Sequence, residues 1–362
     1  MKIVMIITGL GMGGAETQVC NLANSLSDLN HSVTIISLVN IQEVFPNSRV
    51  KVLTLDMGKT IPGFIKAYLK CRKIIKELKP DVVHSHMVHA NIFARLLRLS
   101  TSLPRLICTA HNTNEGGKMR MLAYRLTDSM ADITTNVSQE GVEAFIQAGA
   151  VKRERIVCMY NGISTEKFAF SSEHRNILRN YLQIEDDTPL LMAIGRLTFA
   201  KDYPNLLHAF SKLNDDFNAH LAVIGDGPLK HELIELSQEL GISEKIHWLG
   251  IQKNVSEWLS ACDTFVLSSE WEGFGLVVAE AMACGRVVVA TDAGGVSEVM
   301  GPSDFLVPIK DSDGLLKKIS AALNLSPEER ATISANNRAQ VLKHFALPVI
   351  TQRWLSLYEG KR

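Results

Sequence analysis

The sequence predicts an α/β protein of two domains built on mostly parallel sheets, and three observations carry that expectation. Short β-rich apolar runs alternate with helical patterns along the chain, the signature of βαβ units and mostly parallel sheets. Several of these runs end in glycine-bearing turns that open a helix, at residues 9–14, 195–201, 225–228 and 273–275. At 362 residues, two domains are the natural expectation for the length.

Composition narrows the class. Charged residues are 21% and hydrophobic ones 46% of the chain, ordinary for a globular α/β protein. The formal net charge is zero but unevenly placed: residues 1–165 hold 19 Lys+Arg and 12 Asp+Glu, or +7, and residues 166–362 hold 19 and 26, or −7. Such asymmetry fits an anionic ligand or surface facing the first half, and equally fits drift on solvated faces. No nucleic-acid partner is expected. The six cysteines form no C-x-x-C pair and sit mostly in apolar runs, as buried reduced thiols of a cytosolic protein do. The opening apolar run is short and reads as a strand, not a signal sequence, and no stretch reaches the ~20 apolar residues of a membrane helix. A cytoplasmic location is expected, with or without peripheral contact at the membrane's inner face.

In the first half, Lys2–Thr8 reads as a strand, Gly14–Leu26 as a helix and Ser32–Leu38 as a strand. The turn Gly9-Leu-Gly11-Met-Gly13-Gly14 matches G-x-G-x-x-G literally. A dinucleotide site also needs an acid near the end of the second strand, and none occurs before Glu43, which argues against hydride transfer. Val50–Leu55, Asp81–Ser85, Arg105–Ala110 and Ile156–Tyr160 continue as strands. His111 stands at the carboxyl end of one of them, where ligands bind in such sheets. His84, His86 and His89 invite a zinc reading, but His89 falls in the next helix and no further ligand completes a set, so packing and strand-end contacts are expected and no metal. Lys59 to Lys79 is the most basic segment; Ile65, Tyr68, Leu69, Ile75 and Leu78 recur at helical spacing, with lysines elsewhere on the wheel. Two readings stand for it: an ordinary amphipathic helix packed on the sheet, or contact with anionic lipid headgroups or a lipid-diphosphate acceptor.

In the second half, Leu190–Ile194 is a strand followed by Gly195, Arg196 and Lys201; a planar guanidinium and a point ammonium suit two phosphates. Leu221–Ile224 ends in Gly225-Asp-Gly-Pro228, a turn read as opening a helix with its proline early. Lys245–Leu249, Asp263–Leu267 and Arg286–Ala290 are further strands. Asp311-Ser-Asp313 reads as a helix cap and not as a metal motif. The chemistry centres on residues 268–300. Glu272 lies in the loop after a buried strand, Gly273-Phe274-Gly275 open the next helix, and Glu280 falls about one turn inside it. A helix N-terminus favours phosphate, and carboxylates beside it favour hydroxyls. A ligand with both, such as a nucleotide sugar, meets that combination.

The stretch Glu272 to Gly285, EGFGLVVAEAMACG, resembles the E-x7-E signature of family 4 retaining glycosyltransferases, whose two Rossmann-like domains face each other across a cleft in the GT-B fold. Four more elements resemble that family in order: Gly13-Gly14-Ala15-Glu16, His111, the crossing Asn161-Gly162-Ile163 with Ser164 in place of the usual Asp, and Gly195-Arg196 with Lys201. Together they span nearly the whole chain. The resemblance implies a first domain of residues 1–165 plus about 346–362, reached by a last helix crossing back, and a nucleotide-sugar domain of residues 166–345.

It also implies roles. Glu280 holds the ribose hydroxyls and Glu272 those of the sugar; Arg196 and Lys201, with amides of the Gly13-Gly14 and Gly273–Gly275 loops, hold the diphosphate; His111 orients the sugar. The implied reaction moves a hexosyl or N-acetylhexosaminyl group from a nucleotide-diphosphate sugar, a UDP-sugar foremost, to a hydroxyl of a glycan or lipid-linked glycan in polysaccharide biosynthesis. Retention is ascribed in the family to attack on the face the leaving group departs from, with no dedicated nucleophile and no metal or other cofactor. A nucleotide-sugar epimerase or hydrolase of the same fold, or a binding protein without catalysis, remains the alternative.

Overall fold

The computed structural model describes residues 1–113, 115–213 and 217–361; Arg362, where the expected first domain ends, lies outside them. The chain divides into two compact units, Met1–Gly162 with Leu347–Arg362, and Ile163–Ala346.

The first unit is built on a parallel sheet of β1 (Lys2–Ile7), β2 (Ser32–Ser37), β3 (Lys51–Thr54), β4 (Val82–His86), β5 (Leu106–Ala110), β6 (Ile133–Asn136) and β7 (Ile156–Cys158), in the order β3-β2-β1-β4-β5-β6-β7. The order reverses between β1 and β4, and ligands of doubly wound sheets bind at such a reversal. Helices α1 (Gly14–Asp28), α2 (Ile61–Leu78), α3 (Val88–Leu97), α4 (Lys118–Thr127) and α5 (Gln139–Gln147) follow the strands in turn. Ile3, Met5 and Ile7 of β1 face α1, while Val4 and Ile6 face α2 and α3, so one strand feeds two cores. A strand buried on both faces reads as a continuous apolar run, which is why β1 was legible.

Two features depart from expectation. The strand β6 was not foreseen, because Ile133-Thr-Thr-Asn136 carries little apolar character. Its polar groups are satisfied inside the core: Arg95 Nη2 donates to Thr134 Oγ1 at 2.7 Å, and the Thr109 and Thr135 hydroxyls pair at 2.7 Å. On α2, Ile75 is buried and Tyr68 and Leu78 pack against the same core as expected, but Ala67 and Cys71 join them on the inner face while Ile65 and Leu69 turn outward. Ile61, Ile65 and Leu69 stand 79%, 51% and 56% exposed. Small Ala67 and Cys71 let the helix lie close to the sheet, with Phe64, Tyr68, Ile74 and Leu78 packed at the flanks of the contact.

The second unit has a parallel sheet of β8 (Leu190–Ile194), β9 (His220–Ile224), β10 (Ile246–Gly250), β11 (Thr264–Leu267), β12 (Val287–Thr291) and β13 (Leu306–Val307), ordered β10-β9-β8-β11-β12-β13. Its reversal falls between β8 and β11, which brings the turns that follow them side by side. Helices α6 (Ser172–Leu182), α7 (Tyr203–Ser211), α8 (Lys230–Glu239), α9 (Val255–Ala261), α10 (Leu276–Ala283), α11 (Val296–Met300), α12 (Ser312–Leu323) and α13 (Pro327–His344) cover the sheet. Pro228 lies in the turn ahead of α8, which starts at Lys230, so this proline precedes the helix instead of opening it. Asp311 caps α12, accepting from Gly314 N at 2.8 Å. The last helix, α14 (Leu347–Tyr358), packs on α1, with Thr351 and Ser25 hydroxyls 2.8 Å apart.

No helix among the described residues is long and apolar enough to cross a membrane. Cys20, Cys71, Cys108, Cys262 and Cys284 are buried thiols.

Candidate active site

In the second unit, the turn after β8 carries Gly195, Arg196 and Lys201, and the turn after β11 carries Glu272. The two are stitched together. Glu270 N donates to Ala200 O at 2.9 Å, and Ser268 Oγ donates to Lys201 O at 2.9 Å. Tyr203, opening α7, donates its hydroxyl to Gly195 O at 3.1 Å and is held neutral by burial and by the nearby Glu272. Within this frame the Lys201 ammonium donates to Glu272 Oε1, which also accepts from Ser269 Oγ at 2.7 Å. The two charged side chains are only 21% and 12% exposed, so water screens the pair weakly.

A third turn fixes Glu272 from behind. Gly294, after β12, has φ +58, and a Cβ there would lie 1.9 Å from Glu272 O. Only glycine combines that backbone with that approach.

Gly273, Phe274 and Gly275 then lead into α10. Phe274 is buried and meets Phe345 edge-on at 5.4 Å, an anchor that holds the loop down. Gly275, at φ +82, caps the helix. The opening amides of a helix lack intrahelical acceptors and carry its positive end, so this mouth attracts an anion. Glu280 sits on α10 beyond it. Burial pushes its carboxyl up to about 8, partly offset by the Lys167 ammonium. Among the described residues its carboxylate has no hydrogen-bond partner, and neither has the exposed guanidinium of Arg196. The second unit thus offers a free guanidinium, an ammonium held by a carboxylate, a helix mouth and a second carboxyl, a donor-and-acceptor set suited to a phosphorylated polyol.

The remaining expected residues belong to the first unit. Gly13 and Gly14 open α1, with Thr17 Oγ1 donating to Gly13 O at 2.9 Å. The loop has acidic company: Glu43 Oε2 accepts from Met12 N at 2.8 Å, and Glu16 is pushed up by burial and by Glu43. His111 follows β5 directly. Its backbone N donates to Glu115 Oε1 at 2.8 Å, and Tyr124 donates to Glu115 Oε2 at 3.1 Å, so a buried carboxylate pins the turn. Its ring Nε2 lies 3.2 Å from His86 Nδ1, and burial lowers its proton affinity to about 4. His84 has both nitrogens engaged, 2.7 Å from the Tyr358 hydroxyl and 2.6 Å from Thr109 Oγ1. His89 is exposed on α3. His84 and His86 thus belong to a strand-end cluster with His111, which His89 does not join; no group of three or more His, Cys, Asp or Glu among the described residues is arranged to hold a metal ion.

Sequence reasoning missed Ser269, Ser268, Tyr203, Glu115, Gly294 and the tie between His86 and His111. Gly294 lies in a turn, Asp292 to Glu298, that the sequence marks by its glycines, but its contact with Glu272 and the other ties carry no local signal; each acts on a residue brought to it by the fold.

Comparison with known proteins agrees with this architecture. Residues 12–167 match the family described as Glycosyltransferase Family 4, and residues 174–340 match Glycosyl transferases group 1. A lipopolysaccharide core biosynthesis glycosyltransferase, LpsD of Rhizobium meliloti, is 32% identical over 99% of this chain and 98% of its own length. N-acetylgalactosamine-N,N'-diacetylbacillosaminyl-diphospho-undecaprenol 4-alpha-N-acetylgalactosaminyltransferase of Campylobacter jejuni is 26% identical over 89% of this chain and 90% of its own. Among solved structures, Anabaena Alr3699/HepE in complex with UDP and glucose superposes with a TM-score of 0.87 at 22% identity, covering 99% of this chain and all of that one. The chain belongs to the family 4 glycosyltransferases of the GT-B fold.

Proposed function

We propose that this glycosyltransferase takes a UDP-sugar and transfers its hexosyl or N-acetylhexosaminyl group, with retention, to a hydroxyl of a glycan or lipid-linked glycan. The observation that carries the reading is the Lys201–Glu272 contact beside the mouth of α10. With donor bound, the ammonium turns part of its hydrogen bonding to the diphosphate, and Glu272 accepts from sugar hydroxyls. Arg196 and the α10 amides share the diphosphate, and Glu280 accepts from the ribose. His111, neutral at physiological pH, orients the sugar.

As the bond from the anomeric carbon to the phosphate oxygen breaks, negative charge grows on the departing diphosphate, where fixed cations and amides stabilise it most. The acceptor oxygen bonds to the anomeric carbon on the same face, and its proton passes to a phosphate oxygen. No metal is needed in this scheme, because Arg196, Lys201 and the helix mouth supply the positive charge.

The relatives support the acceptor class. The Campylobacter protein is named for transfer to a diphospho-undecaprenol-linked sugar, and the Rhizobium protein for lipopolysaccharide core synthesis. A lipid-linked acceptor also fits peripheral binding to the cytoplasmic face of the membrane through Lys59–Lys79, where Ile61, Ile65 and Leu69 stand outward. Incubating the chain with UDP-sugars and lipid-linked glycans in EDTA, and following UDP release and the anomeric configuration of the product, tests the proposal. Transfer with retained configuration supports it; inversion, or dependence on added metal, contradicts it.

A further inference from the structure

His86 is buried at the end of β4, and its ring is more than a packing element. Its Nδ1 is 3.2 Å from His111 Nε2, while its Nε2 has no protein partner among the described residues. That nitrogen belongs to a residue lining a cavity of about 20 Å³, with His111, Thr109, Gln18 and Asn161 among the other walls. Apolar Leu22, Val137, Leu347 and Ile350 line much of the rest, and no group of the lining accepts from that nitrogen. On the other side the His84 ring lies 3.9 Å away, centroid to centroid, and is immobilised by Tyr358 and Thr109. His86 is thus locked in place with one nitrogen aimed at His111.

Burial keeps all three rings neutral near pH 7. Two neutral imidazoles sharing a hydrogen bond have two arrangements. In one, His86 Nδ1–H donates to His111 Nε2 and leaves a lone pair on His86 Nε2. In the other, His111 donates, and His86 must bury an N–H that has no protein acceptor. An orphaned buried N–H is rarer in proteins than an under-used acceptor. We infer that His86 is a positioning residue that donates from Nδ1 to His111 Nε2 and so holds His111 with its own proton on Nδ1. His111 then presents an N–H, not a lone pair, to whatever lies against its free edge, and for the proposed donor that means contact with a sugar oxygen.

The inference about catalysis rests on the sugar-facing role proposed for His111; the tautomer does not. Long-range proton–nitrogen NMR of the full chain with ¹⁵N-labelled histidine, assigned with His111→Gln, reads the tautomer without turnover. The expected spectrum shows His111 protonated at Nδ1 in the wild type and in His86→Asn, whose amide places a donor near the position of Nδ1. His86→Phe, lacking the donor, should release His111 toward the Nε2–H form. In transfer assays it should lower kcat about ten- to a hundredfold, the scale on which partners orienting metal-bound histidines act, with the donor KM little changed, and His86→Asn should recover most of that loss. A wild-type His111 protonated at Nε2, or a tautomer unmoved in His86→Phe, overturns the assignment. If the wild type moves no sugar yet shows Nδ1–H, the proposed function fails and the assignment stands.

Discussion

Lys201 and Glu272, 71 residues apart in sequence, are joined by a direct hydrogen-bonded ion pair, and Ser269 shares the same carboxylate oxygen. The pair keeps a partly buried cation and a partly buried anion balanced; in the proposed function a ligand with its own charges and hydroxyls takes over part of that balance. Removing either partner leaves the other uncompensated in a poorly hydrated place.

Glu272→Gln keeps the shape and the Ser269 hydrogen bond but discards the charge. It is expected to lower kcat/KM by about a hundredfold or more, on the scale of losing one electrostatic contact to a transition state, and to lower stability as well, because the Lys201 ammonium loses its counter-charge while keeping a neutral acceptor. Lys201→Ala should cost as much activity and in addition roughly 1–3 kcal/mol of stability, because Glu272 keeps a desolvated charge without its partner. Steady-state kinetics beside urea denaturation separate the two effects. Near-normal turnover in either variant removes the site assignment.

Gly294→Ala tests the support from behind. Its Cβ would meet a backbone carbonyl, which cannot swing aside, in a backbone region unfavourable to alanine. A loss of about 2 kcal/mol or more is expected, together with a rise in donor KM as Glu272 is displaced. A variant with wild-type stability and KM shows that the turn does not fix the carboxylate.

Donor affinity should depend on pH through Glu280. Burial raises its folded value from 4.5 to about 8, so at neutral pH the group is mostly protonated, and binding a hydroxyl-donating ribose favours the ionised form. Proton release must accompany binding. Affinity should fall as pH drops below about 8, approaching about tenfold per unit well below it, and Glu280→Gln should bind more weakly with a flat profile. Calorimetry in buffers of different ionisation enthalpy counts the proton directly. A wild-type profile as flat as that of the variant contradicts this role.

The buried imidazoles predict acid sensitivity. His84, His86 and His111 have folded proton affinities below the ordinary 6.5, His111 near 4. The unfolded chain therefore takes up protons first as pH falls. Stability present at pH 7 is lost between about 6.5 and 4, at about 1.4 kcal/mol per pH unit for each proton. Urea denaturation across that window should show a slope that is shallower by one proton in His86→Asn. Equal slopes would mean that His86 is not buried neutral.

Replacing Ile65 and Leu69 together with Asp should abolish binding to vesicles rich in anionic lipid, because both stand outward on α2 among lysines. Neutralising Lys66, Lys70 and Lys73 together should weaken it. Flotation assays that show unchanged binding in both variants remove the membrane contact.

The fold was readable because strands buried on both faces are written as continuous apolar runs, and the turns after them as glycines. Where the code changes, legibility ends. The strand Ile133–Asn136 is threaded with polar groups that Arg95 and Thr109 satisfy in the core, so no periodicity marks it. On α2 the small residues Ala67 and Cys71 join Tyr68, Ile75 and Leu78 on the inner side, so a wheel that counts only bulky side chains misplaces Ile65 and Leu69. In the site, Arg196, Lys201, Glu272 and Glu280 stand out by residue type and by the strands that precede them. Their couplings do not. The Lys201–Glu272 pair joins two turns that only the reversal between β8 and β11 makes neighbours, and His86 reaches His111 across neighbouring strands of the sheet.

The most direct test of the account is calorimetric titration of UDP, UDP-sugars, GDP, ADP and NAD into the chain in EDTA, repeated with Lys201→Ala and Glu280→Gln. The account predicts that a uridine nucleotide binds without metal and that both substitutions weaken it. Binding of NAD alone, or uridine-nucleotide binding unchanged by either substitution, would contradict it.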